Sequence, residues 1–296
     1  MQLVASTPKS KPVSESIRDR LAAIRQDDLR EVVERISVPR PTRTPENEVV
    51  RQSIVEMFSG MEAGRLGVEV DEAGNVVVGD PRRSKILIGA HYDSIPGTPG
   101  ADDNASGVSA LLTTARAIGP KEGVCYVAFD GEECGFLGSR ALVERLGRHR
   151  PDQVHILEMI GYASNEPGSQ SNPVPVLQTP TVGDFLGLVG TYGSRRLLHH
   201  VLASADDHAV PVQALFLPDM PLEMIERISH NLLRSDHAPF WRAGLSALMW
   251  TDTAEFRNPH YHGRTDTPET LDYEFLAGVT RLLVHVVLSE FRADGG

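Results

Sequence analysis

Near the start of the chain, apolar residues recur at helical spacing: Ile17, Leu21, Ile24, Leu29, Val32, Val33 and Ile36. They predict one or two amphipathic helices over residues 14–36. Pro39, Pro41 and Pro45 break that pattern, and a further helix is expected over 46–61. Residues 68–79 read as a hairpin, with Gly74-Asn75 at the turn and Val76-Val77-Val78 returning. Beyond it, short apolar runs alternate with amphipathic stretches. Strands are expected over 85–90, 124–130 and 154–158, and helices over 105–118 and 136–146. Later strands fall at 212–217 and 247–251, and a closing helix at 273–291. This alternation implies a three-layer α/β/α sandwich whose mixed, largely parallel central sheet is covered by helices on both faces. No repeat or Ser/Gly linker divides the chain, so an N-terminal helical extension (1–45) and a main domain (46–296) are expected to form one compact unit.

Placing the polar residues on this map brings out the chemistry. His91 follows the strand ending in Ile88-Gly89-Ala90, Glu132 and Glu133 follow the one ending in Phe129-Asp130, and Glu158 closes a third. Asp102 and Asp103 precede the helix after the first of these strands. Ligands of open α/β sheets bind at the carboxyl edge of the strands, and these side chains are delivered there. Each signal alone has a plainer explanation. Asp103-Asn104 resembles a helix cap, and Glu132-Glu133 a solvated pair. Asp93, however, stands where it can accept a hydrogen bond from the second nitrogen of a ligating His91. The polar loop Asn258-Pro259-His260-Tyr261-His262 adds two more imidazoles. Together the signals point to a metal site.

Composition narrows the class. The chain has 296 residues, 41% hydrophobic content and a formal net charge of −11, with no basic cluster for nucleic acid. Its two cysteines, Cys125 and Cys134, make no disulfide framework, and Cys125 sits in an apolar run where a buried thiol is expected. Residues 1–13 have no apolar core typical of a secretion signal, and no run is long enough to span a bilayer. A cytoplasmic location is the default expectation.

Five segments are similar to motifs of the co-catalytic zinc aminopeptidases, in the same order along the chain. They are His91-Tyr92-Asp93-Ser94, Gly100-Ala101-Asp102-Asp103-Asn104-Ala105-Ser106-Gly107, Gly131-Glu132-Glu133-Cys134-Gly135-Phe136-Leu137-Gly138-Ser139, Ser235-Asp236-His237, and His262 with Thr265-Asp266-Thr267. That family includes bacterial leucyl aminopeptidases, glutamate carboxypeptidase II, glutaminyl cyclases and the non-catalytic transferrin receptor. The resemblance spans roughly residues 68–291 and is silent about 1–45. It implies that Asp103 bridges two zinc ions, with His91 and Glu158 completing one site and Glu133 and His262 the other. Glu132 would be the general base, Asp93 the partner of His91, and Asp236 a hydrogen-bonding group near the base or substrate. The family more often has Asp at the position of Glu158, so a longer arm must reach the metal here. Manganese or cobalt could replace zinc in so oxygen-rich a site.

Specificity is expected to lie in the loops 163–180, 206–231 and 254–261, with Arg257 and Tyr261 as candidate substrate contacts. His199, His200 and His208 read as surface residues. The leading expectation is a metallo-exopeptidase, most simply a two-zinc aminopeptidase, acting on short peptides or amide-bearing small molecules. A single-zinc cyclase-like acyl transferase and a non-catalytic binding protein are the alternatives.

Overall fold

The computed structural model describes residues 1–5, 13–174, 177–205 and 210–293. His208 and short parts of the 163–180 and 206–231 loops fall outside the described residues. In chain order the strands are β1 (Gln2–Ala5), β2 (Val68–Val70), β3 (Val76–Val78), β4 (Ile86–His91), β5 (Val124–Phe129), β6 (Gln153–Glu158), β7 (Leu186–Gly190), β8 (Val212–Phe216) and β9 (Ala247–Thr251). The helices are α1 (Glu15–Ala22), α2 (Gln26–Ile36), α3 (Pro45–Ser59), α4 (Gly107–Ile118), α5 (Leu137–Leu146), α6 (Arg195–Ser204), α7 (Leu222–Ile228), α8 (His237–Arg242) and α9 (Tyr273–Ala293). The strands form one mixed sheet in the order β1-β8-β7-β9-β6-β4-β5-β3-β2. Its middle strands β5, β4, β6 and β9 are mutually parallel, while β3 and β7 run antiparallel to the neighbours that flank this group.

Strand residues alternate between two cores. Ile86, Ile88 and Ala90 of β4, with Val124, Tyr126 and Ala128 of β5, pack among α1–α4, α6 and α9. Leu87, Cys125, Val127 and Phe129 face the other way, toward α5, α7 and α8. This two-sided burial explains why the central strands are continuously apolar rather than alternating. Gly89 is needed within β4 because a Cβ there would lie 2.3 Å from the Phe129 ring. The expected sandwich is thus present. No helix among the described residues is long and apolar enough to cross a membrane.

Five of these elements were not expected from the sequence, β1, β7, α6, α7 and α8. β1 forms from the polar start of the chain by pairing antiparallel with β8. β7 carries two glycines in five residues, which weakens any strand signal. α6 follows it, burying Leu197, Leu198, Val201 and Leu202. The topology also locates the crevice. β4 leads through α4 to β5 on one face, and β5 leads through α5 to β6 on the other. Loops leaving adjacent strands toward opposite faces open a cleft at the carboxyl edge, between β4 and β5.

Candidate metal centre

His91 is the last residue of β4, in register with Phe129 of β5, and is 1% exposed. Its Nδ1 lies 3.2 Å from the Asp93 carbonyl oxygen and 3.4 Å from Asp93 Oδ1. Its Nε2 is buried and makes no hydrogen bond in the structure, yet lies 3.3 Å from Asp103 Oδ1 and 3.5 Å from Glu158 Oε2. On the other side of Asp103, His262 Nε2 lies 3.2 Å from Oδ2 and 3.7 Å from Glu133 Oε1. The five side chains form two triads, His91–Asp103–Glu158 and Asp103–Glu133–His262, each with donor atoms within 4.8 Å of one another. Asp103 belongs to both, with one carboxylate oxygen toward each imidazole.

Asp103 sits in the wide turn Ala101–Ser106 ahead of α4. The Asp266 carboxylate accepts from the Asp102 and Asp103 amides at 2.8 and 3.1 Å. Asp102 accepts from the Gly161 amide and from Asn258 Nδ2 at 2.9 and 2.6 Å. Asn104 donates to the Leu157 carbonyl at 2.8 Å and accepts from the Met159 amide at 3.1 Å. These bonds tie the turn to the end of β6, where Glu158 emerges. Asn104 Oδ1 also accepts from the Gly107 amide at 3.1 Å, so the capping expected of Asp103-Asn104 is done by Asn104. His262 adopts a left-handed backbone, φ 55°, a sparsely populated conformation for a residue with a side chain.

Asp93 does more than face His91. Its two carboxylate oxygens accept from the Glu132 and Glu133 amides at 3.1 and 3.2 Å, fixing the loop after β5. Glu132 is 8% exposed. Burial, reinforced by Glu158, Asp236 and Glu133 and opposed by His91, pushes its carboxyl well above the ordinary range. Burial beside Asp103 pushes Glu133 up to about 8. Burial also acts to raise Asp103, but the close imidazoles of His262 and His91 hold it well below the carboxylate range. His91 loses from burial, yet Glu158, Glu132, Asp103 and Asp93 raise it well above an ordinary imidazole. Crowded carboxylates that ionise only at a cost, with an imidazole nitrogen aimed among them, are relieved by a cation. The nitrogen and carboxylate donors suit zinc.

Two expected contacts take a specific form. Asp236 lies near enough to the base for its charge to act on Glu132, but it is fully buried; Ser139 Oγ donates to its Oδ1 at 2.5 Å and its Oδ2 has no hydrogen bond. The neighbouring Ser235 is the one that reaches the site, donating to Glu158 Oε2 at 2.6 Å. That bond fixes the longer arm of Glu158. Arg257 is 5% exposed, donates to Gln170 Oε1 and the Tyr162 carbonyl, and lies over the Phe185 ring. Its Nε and Nη1 are thus engaged, and Nη2, which makes no hydrogen bond, is buried, so the side chain does not present an open fork to a substrate carboxylate. Tyr261 does lie at the site, its ring stacked 3.8 Å from that of His262 and its hydroxyl accepting from Arg234. The exposure of His199 and partial burial of His200 agree with surface positions.

A cavity of about 110 Å³ abuts the centre, sharing Glu158 and Tyr261 as lining residues. The rest of its wall is mostly apolar and includes Val174, Phe185, Leu232 and Met249. β1 contributes Leu3, a wall residue that no local motif announced.

A sequence profile of Peptidase family M28 matches residues 75–287. Among curated proteins, the chain is 38% identical over 216 residues to the uncharacterised protein YfbL of Escherichia coli, covering 66% of this chain and 63% of that one. It is 27% identical over 222 residues to aminopeptidase YwaD of Bacillus subtilis, covering 71% and 42%. The chain thus spans less than two thirds of either relative. The crystal structure of Legionella pneumophila LapA aminopeptidase superposes with a TM-score of 0.69 at 21% identity, covering 95% of this chain and 77% of that one, a likeness of fold.

Proposed function

The chain belongs to peptidase family M28, and on that premise we propose that it is a zinc-dependent exopeptidase, most specifically a two-zinc aminopeptidase of short peptides or amide-bearing small molecules. The observation that carries the reading is the double membership of Asp103, which gives one carboxylate oxygen to each of two ligand triads. His91 and Glu158 would hold one ion and Glu133 and His262 the other. Bound there, zinc supplies Lewis-acid polarisation of the scissile carbonyl and acidification of the attacking water. Glu132 is the general base, taking a proton from that water and passing it to the leaving amine. Its raised affinity for protons suits both steps. Asp93 keeps base and ligand apart by holding the Glu132 and Glu133 amides on separate oxygens.

Amino-end specificity is supported by the likeness to an aminopeptidase. Arg234, the cation near the cavity, already donates to Glu255, Asn231 and Tyr261 and so is committed rather than held out for a substrate carboxylate. The adjoining apolar cavity accommodates the side chain of the leading residue. The test combines metal analysis of reconstituted protein with peptides blocked at either end. The reading expects two zinc ions per chain, cleavage abolished by N-acetylation and indifferent to C-terminal amidation. Cleavage that requires a free C-terminus would overturn it, and a single zinc with cyclisation of N-terminal glutamine would favour the acyl-transferase alternative.

A further inference from the structure

Arg40 lies before the region that the family profile matches, in a Pro39-Arg40-Pro41 turn between α2 and α3. It is fully buried and among the largest side chains that are. Its guanidinium donates to the carbonyls of Tyr92 and Pro99, to Val38 at 3.1 Å and to Gly100 at 2.8 Å. Tyr92 sits between His91 and Asp93, and Gly100 opens the turn that presents Asp103. One planar fork therefore spans the two backbone segments that carry a terminal ligand, its hydrogen-bonding partner and the shared carboxylate. The main chain of Arg40 joins the same arrangement, its amide donating to Ser94 Oγ at 3.0 Å, while Ser94 Oγ donates to the Thr98 carbonyl at 3.1 Å.

Gly100 is fitted to this side chain. Its φ is 64°, and a Cβ there would stand 3.1 Å from both Arg40 Nη1 and Nη2 and 2.3 Å from the Asp103 carbonyl oxygen. The charge is placed as well as the fork. Burial lowers the guanidinium to about 10, with Asp93, Asp103, Asp266 and Glu133 acting to raise it, so it remains a cation at neutral pH. Its described hydrogen bonds nevertheless all run to carbonyls, leaving those carboxylates free for other partners.

We propose that Arg40 is a positioning residue for the metal centre, holding the 91–93 segment and the 99–103 turn at the separation the two triads require. The proposal rests on the zinc reading of the site. Lysine cannot substitute, because one ammonium with three donors cannot serve carbonyls spread along two segments as five guanidinium donors can. Groups that orient metal ligands typically change metal affinity by about 10–100-fold when removed. Because Asp103 is common to both triads, the loss falls on both ions.

The test is zinc affinity by chelator competition on wild type, Arg40→Lys, Arg40→Met and the milder Ser94→Ala, with Leu198→Ala as a remote core control. Folding is checked in each by circular dichroism and a cooperative melt. Wild type that binds no zinc removes the metal reading itself, whatever the variants do. With wild type binding zinc, Arg40→Lys is expected to bind at least tenfold more weakly, with Arg40→Met no better and less stable without metal. Leu198→Ala should melt earlier at unchanged zinc affinity. Wild-type affinity in folded Arg40→Lys overturns the proposal, since charge or bulk alone would then suffice. If neither Arg40 variant folds, Ser94→Ala decides: weaker zinc binding supports the positioning role, and unchanged binding refutes it.

Discussion

Replacing Glu132 by Gln separates the proposed base from the proposed ligands. The two side chains have the same shape, so the packing of this 8% exposed residue is kept. What is lost is the ability to accept a proton. General acid–base groups contribute roughly two to four orders of magnitude, which is about 3–5 kcal/mol of transition-state stabilisation. The structure argues for the upper part of that range, because the neighbouring carboxylates belong to the two triads or, like Asp236, are fully buried. Asp103 and Glu133 face His91 and His262, Glu158 accepts from Ser235, and Asp236 accepts from Ser139. Stability should move the other way. Glu132 sits among Glu158, Asp236 and Glu133, so its ionised form is disfavoured in the metal-free fold. A neutral amide removes that repulsion. Metal-free Glu132→Gln is therefore expected to melt at or above metal-free wild type, whereas the zinc-loaded variant should keep its zinc content and lose far more in kcat than KM changes. Steady-state kinetics, metal analysis and calorimetry on one preparation give all three readouts. Parallel loss of zinc and turnover would make Glu132 a ligand, and turnover within tenfold of wild type would refute its role as base.

Three further outcomes are expected. Glu158→Ala should lose one ion and leave the Glu133/His262 site filled, whereas Glu133→Ala should weaken the other; titration of metal-free protein that finds two sites of unchanged affinity in Glu158→Ala would refute the assignment. Asp93→Asn places an amide where two backbone N–H groups donate, and removal of such an orienting group should weaken zinc binding by about 10–100-fold, read by chelator competition. Stability of the metal-free protein should decline as pH rises. The folded state holds protons on Glu132 and Glu133 more tightly than the unfolded chain, so stability is lost from the ordinary Glu value of 4.5 up through about 8 for Glu133. His91 and His262, also raised, add to the loss above 6.5, while the depressed Asp103 acts only in acid, below 3.8. Melting temperatures measured across this range should fall without zinc and stay nearly level with it, and a rise with pH in the metal-free protein would refute the sign.

Much of the centre is legible in the chain because its ligands are attached to elements with strong local signatures. The buried strands β4, β5 and β6 are continuous apolar runs, and each ends on or just before a residue of the two triads. The order of the parallel strands then brings those ends to one edge. A local pattern cannot say which polar neighbour turns inward. Ser235 and Asp236 are adjacent, and only the packing of α8 decides that the serine reaches Glu158 while the aspartate is buried against Ser139. Nor can it assign Arg257, whose partners Tyr162, Gln170 and Phe185 come from a stretch more than 70 residues earlier in the chain. β1 exists only because β8 offers it an edge, and its Leu3 lines the cavity for the same reason. The Asp266 bonds to the 102–103 turn cross more than 160 residues, and the Arg40 clamp crosses more than 50. The candidate ligands were readable because short-range periodicity places most of them at strand ends and the resemblance to the zinc aminopeptidase motifs sorts them into two sets; the groups that hold them in place were not, because hydrogen bonds between distant segments leave no periodic trace and arise only when the sheet brings their ends together.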